Sequence, residues 1–216
     1  MDGMPPGMLA AFTFLPLIGL FVTRLILADR FIERQPLIHQ PRYQFVIDLA
    51  VFTAAGFISM GLNSFIYQVP VTGGIAFLIG FLTFGFFIAV DMSLYRERRV
   101  IAHAMEHSFT HNLSSRFYPL TRKFFVVALA SIFLMMVIIM MIIGRDMVWL
   151  AQADPSSLNM MLPRITAIIL QEILLVVTTL FILVTNILFS YSRNLKLLLQ
   201  TETGVLESVT QGDLSR

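Results

Sequence analysis

His103, His107 and His111 recur at every fourth position, with Glu106 beside them, and that spacing lines side chains up along one side of a helix. Imidazoles at i and i+4 can share a metal such as zinc, and a third imidazole or Glu106 would complete three ligands. Against this, a straight helix spreads the three over more than about 10 Å, which one ion spans only with help from another chain or loop. The competing reading makes them solvated or headgroup-facing residues that respond to pH near neutrality. Both readings stay open on the sequence.

A second chemical candidate is Glu172, which lies inside an apolar run with no Lys or Arg assigned to its level. Ionisable groups in hydrocarbon are costly and often functional. Glu172 is expected either as a neutral packed carboxyl bonded to Gln171, Asn63 or another helix, or as a ligand- or proton-sensing group in a polar pocket. Arg24, Asp48 and Asp91 fall near the inner ends of their helices and are expected to form inner-leaflet ion pairs. There is no Cys, Gly-rich phosphate loop, Ser/His/Asp set or carboxylate pair placed for phosphoryl chemistry. Within these residues no catalysis and no cofactor is expected, and no nucleic-acid partner.

The elements that carry these residues are set by composition. Hydrophobic residues make up 57% of the 216 and charged residues 13%, against about 25% charged in an ordinary soluble domain. A spanning helix needs about 20 mostly apolar residues, and five stretches qualify, at about 8–28, 46–68, 73–92, 124–143 and 165–190. The expected fold is an all-α integral membrane domain of five transmembrane helices over residues 1–190. Pro16 is expected to kink the first helix. Residues 69–72 suit a tight hairpin, and 144–163, with Trp149, reads as the one outer loop of any length. Ala55, Ser59 and Asn63, and Ala76 and Gly80, offer small-residue packing faces. Met135, Met136, Met140 and Met141 offer adaptable packing.

Lys and Arg favour the cytoplasmic side in short loops. Placing the N-terminus outside and the C-terminus in the cytoplasm puts the Arg96, Arg98 and Arg99 cluster inside and leaves only Arg145 and Arg164 outside. A multi-pass protein of a bacterial inner membrane is expected. With so little outer material, a stimulus would be a lipid, a small lipophilic molecule or the bilayer itself.

Beyond the fifth stretch the chain turns amphipathic, and Leu195, Leu199, Glu202, Leu206 and Val209 keep a 4-3-4-3 spacing. That is the rhythm of a coiled-coil seam, which needs a partner. With Gly212-Asp213-Leu214 after it, residues 191–216 resemble the first helix of a HAMP linker, with Asn194 or Leu195 where that family usually has proline. The resemblance implies a homodimer, joined through this helix and the fifth span, that passes a change from membrane to a cytoplasmic output domain. The 216 residues are then expected to be the N-terminal part of a longer signalling protein. A multi-span bundle leading into such a linker is similar to the membrane regions of class III adenylyl cyclases, which implies ATP and two Mg or Mn ions for the output. A histidine kinase or phosphatase output is the alternative. A transporter or channel subunit is disfavoured by the lack of an internal inverted repeat.

Overall fold

The computed structural model describes residues 18–67, 71–106, 120–152 and 155–210, and all regular structure among them is helical. Helix α1, residues 18–27, runs into a π-helical turn, Ala28–Ile32, closed by Glu33 N–H donating to the Ala28 carbonyl at 3.3 Å. A short turn follows, in which His39 N–H donates to the Pro36 carbonyl at 2.8 Å. Helix α2, Gln40–Tyr67, starts there with Pro41 in its first turn, where a missing N–H removes no helical bond. Helix α3 is Val71–Glu106, α4 is Leu120–Gln152, and α5 is Pro155–Thr210, again opening on a proline.

Among the described residues, four helices are long and apolar enough to cross a membrane, over Gln40–Phe65, Gly74–His103, Lys123–Val148 and Thr166–Gln200. Of the first expected span, 8–28, residues 18–28 are described and helical; residues 8–17, with Pro16, lie outside the described residues. Three residues separate α2 from α3, as the hairpin expectation requires. The outer loop expected at 144–163 is instead helical on both sides of residues 153–154. Gly144 and Pro163 look like breakers, but a glycine costs a helix only about 1 kcal/mol relative to alanine. Prolines are also accepted in membrane helices, where the freed backbone groups find other partners.

The described residues divide into two compact units, Met1–Phe124 with Ile187–Arg216, and Phe125–Asn186. The first is built on α2 and α3, whose mutual contact is the broadest between helices among the described residues. Ala55, Ser59 and Asn63 are all buried on α2, together with Phe81, Phe87, Ala89 and Val90 of α3. Glycines bring the two helices close: a Cβ on Gly56 would stand 2.9 Å from Leu78 Cδ1, and one on Gly85 would overlap Phe52 Cβ. Gly80, expected on the packing face, has nothing within 4 Å of where its Cβ would be. The close approach belongs to Gly85, one turn and a residue further on.

In the second unit Ser131, Ile142 and Leu180 are buried, while Met136, Met140, Leu170, Leu174 and Phe181 are exposed. The methionines expected in the packing therefore include two that face outward. Lipid tails are as apolar as leucine, so an all-apolar helix surface need not turn inward.

The glycine geometry separates two substitutions of the same chemistry. Gly85→Ala should lower stability by about 1–3 kcal/mol through overpacking against Phe52. Gly80→Ala should be neutral, or stabilising by up to about 1 kcal/mol through helix propensity. Unfolding midpoints in mixed detergent micelles, titrated with a denaturing detergent, would read both.

Candidate functional site: a polar layer and its cavity

The polar residues of the first unit gather where α1 ends, α2 begins and α3 passes. Asp48 is fully buried. Arg24 Nε donates to its Oδ1 at 2.5 Å and Arg24 Nη2 to its Oδ2 at 3.2 Å. Gln44, one turn earlier on α2, donates through Nε2 to Oδ2 at 2.6 Å. A carboxylate out of water must be paired and hydrogen-bonded or lose its charge, and these donors provide the pairing.

A second tie joins the start of α2 to α3. Gln40 Nε2 caps the preceding turn at the Gln35 carbonyl, 3.0 Å away, while its Oε1 accepts from Arg96 Nη1 at 3.0 Å. Ser93 Oγ donates to the Pro41 carbonyl at 2.8 Å. A third tie reaches α5: Ser190 Oγ donates to Asp91 Oδ1 at 2.5 Å, and Asn194 Nδ2 to the Leu94 carbonyl at 3.2 Å. Asn194 is wholly buried and its Oδ1 has no partner. A fourth tie reaches the start of α4, where Lys123 Nζ lies 2.7 Å from Oε1 of the buried Glu97. Phe124 meets Tyr191 edge to face, with ring centroids 5.4 Å apart.

One turn to the apolar side of this layer lies a cavity of about 310 Å³, lined by Leu20, Phe21, Arg24, Val51, Phe52 and Ile88.

Arg24 and Asp48 are thus brought together, whereas Asp91 bonds to Ser190. Glu172, in the second unit, accepts from Arg145 Nη2, and Arg145 also bonds Asp146 at 3.0 Å. The expectation that no cation shares its level rested on placing Arg145 in a loop. Continuation of α4 to Gln152 keeps Arg145 on a helix and within reach of α5. Gln171 is exposed beside Glu172, and Asn63, in the other unit, donates to the Ser59 carbonyl at 2.9 Å.

His103 is exposed in the last turn of α3; His107 and His111 lie outside the described residues. Among the described residues no three His, Cys, Asp or Glu side chains are grouped to hold a metal. Leu195 and Leu199 are exposed on α5, and Glu202, Leu206 and Val209 continue the same helix.

The described residues thus form apolar helices tied by a buried polar layer. The family model MASE10 matches residues 1–175. The chain belongs to the MASE10 family. It is a family of membrane-associated sensory domains. No curated protein and no solved structure matches the chain. The MASE10 match takes in α1 to α4 and the part of α5 that carries Glu172; Ser190, Asn194 and the leucine seam lie beyond it.

Sequence reasoning passed over Gln40, Gln44, Ser93, Glu97 and Ser190, and read Asn194 only as a position of the linker helix. The signal was present: Gln40, Gln44 and Asp48, then Ser93 and Glu97, then Ser190 and Asn194, are polar residues four apart, each set on one helix side.

Removing one partner of the buried pair should cost far more than removing both. Asp48→Ala, which strands the Arg24 charge, should destabilise by about 3–5 kcal/mol. The double variant Arg24→Met with Asp48→Leu should recover most of that loss. A double-mutant cycle on unfolding in detergent would show whether the recovery occurs.

Proposed function

We propose that the chain is the membrane sensor of a dimeric bacterial signalling protein, and that α5 delivers the signal to a cytoplasmic output domain following residue 216. The observation that carries this reading is the continuity of α5. Its 56 residues form one helix from Pro155 to Thr210, about 84 Å long at 1.5 Å per residue, where the hydrocarbon core needs about 30 Å. The surplus projects past the polar layer, in which α3 holds Ser190 and Asn194. A change in that layer therefore acts directly on the helix that leaves the membrane. Membership of a sensory family supports the same direction of information flow.

In this reading the domain has five spans with its N-terminus outside, as the distribution of basic residues favours. Residues 191–216 act as the first helix of a HAMP-like linker, and exposed Leu195 and Leu199 meet their counterparts in a second copy. The output we favour is a class III adenylyl cyclase domain using ATP and two Mg or Mn ions, with a histidine kinase or phosphatase domain second.

The test is the complete gene expressed in cells lacking their own adenylyl cyclase, alongside Ser190→Ala. Cyclic AMP from the unmodified gene, changed severalfold by Ser190→Ala at equal abundance, is the expected result. The lost bond is worth about 1.5–3 kcal/mol when its acceptor is charged. Absence of cyclic AMP from both would sink the cyclase output and leave phosphoryl transfer to be assayed in its place.

A further inference from the structure

The seam between α3 and α5 has a further rung that is not made. Asp91, Leu94 and Arg98 stand on one side of α3, at spacings of three and four, and the first two meet Ser190 and Asn194 of α5. The two bonds advance together along both helices, so α3 and α5 run parallel here. Arg98 stands one turn past the Leu94 contact, about 6 Å at 1.5 Å per residue. At that rung α5 presents Leu197 and Leu198, whose side chains accept no hydrogen bond. Arg98 Nε is buried without a hydrogen-bond partner, and so is Asn194 Oδ1. Asn194 has no exposed surface. One seam thus holds a donor and an acceptor of matching chemistry about a turn apart, each unmade.

We propose that α3 and α5 have a second register, with α5 advanced by part of a turn toward the C-terminal end of α3, in which Arg98 Nε donates to Asn194 Oδ1. Buried polar groups are nearly always satisfied, and an unmade one is costly; one new bond removes both costs. In advancing, α5 gives up the Ser190 bond to Asp91 and the Asn194 bond to the Leu94 carbonyl. Bonds are then exchanged rather than stretched, which favours two discrete arrangements over a continuous slide. The new bond is strengthened by the charge of its donor. The present company of Arg98 is the Tyr95 ring, with Cζ 5.7 Å from its centroid. That ring is 48% exposed, and such contacts are weak where water or headgroups reach them. A bridging water would satisfy the same two atoms without movement, and the experiment separates the two cases.

This inference gives the proposed sensor its moving contact and rests on that reading for its purpose, though not for the two registers themselves. The experiment uses the full-length protein in nanodiscs, with any cysteines of the output domain replaced by serine. Nitroxide labels go on Ala102→Cys of α3 and Leu199→Cys of α5, both exposed, and labelled chains are diluted with unlabelled ones so that the distance read is within one chain. Asn194→Asp removes the donor to the Leu94 carbonyl and gives Arg98 a charged acceptor. The expected result is a change of about 2 Å or more in the mean label distance, between a small helix shift and a full-turn ratchet. Ser190→Ala, which frees only the Asp91 tie, should move the distance the same way, and it carries the test if the aspartate variant does not fold. Adding Arg98→Met should return either variant to the parent distance. An unchanged distance in both variants, as a bridging water would give, or a shift that survives Arg98→Met, would overturn the inference. The shift without any change in output would defeat the sensor reading while the two registers stand. A Ser190→Ala effect on output without the shift would do the reverse.

Discussion

A single buried carboxylate organises the first unit. Asp48 has no exposed surface, and removing an ion of that size from water carries a penalty of several kcal/mol unless the partners are held in good geometry. Arg24 and Gln44 supply that geometry, which fixes the end of α1 and its π-helical turn against the start of α2. Helices in lipid gain little from burying apolar faces against one another, so polar ties and close glycine contacts decide register. From α2 the ties pass through Gln40 and Pro41 to Arg96 and Ser93, and from α3 through Asp91 and Leu94 to α5. Arg24 also lines the adjoining cavity.

The two units are tied in different ways. The first is sewn together by buried polar groups, of which the Asn194 amide oxygen remains without a donor, at a local cost of about 1–3 kcal/mol. In the second, the ion pair of Arg145 and Glu172 is partly exposed, and most large apolar side chains point away from the protein. A helix with firm anchorage along one stretch and a lipid-facing surface along another is suited to shift as a rod, because its backbone bonds are all satisfied internally.

Much of the architecture was legible in the sequence, since apolar runs long enough to span declare themselves by composition alone. The α2–α3 hairpin followed from the short spacing between two apolar runs. The pairing of Arg24 with Asp48 was accessible because both are charges near helix ends. The Arg145 partner of Glu172 was not foreseen because residues 144–163 read as a loop, which placed Arg145 off its helix. Asp91 was assigned an arginine because charge is visible in a sequence while a serine ninety-nine residues away is not. The cavity could not be read from sequence at all, since it depends on how three helices cross, and Gly85 sets that crossing without any chemical signature beyond its lack of a side chain.

The account stands or falls on α5 as the moving part shared between two copies. Residues 1–216 contain no cysteine, so Leu199→Cys provides a unique site for a nitroxide label once any cysteines of the output domain are replaced by serine. Pulsed electron–electron resonance on the labelled full-length protein in nanodiscs would measure the distance between the two labels of a dimer. A defined distance that shifts when Ser190→Ala is added is the result expected. No dipolar signal, or the same distance distribution with and without Ser190→Ala, would contradict transmission through α5.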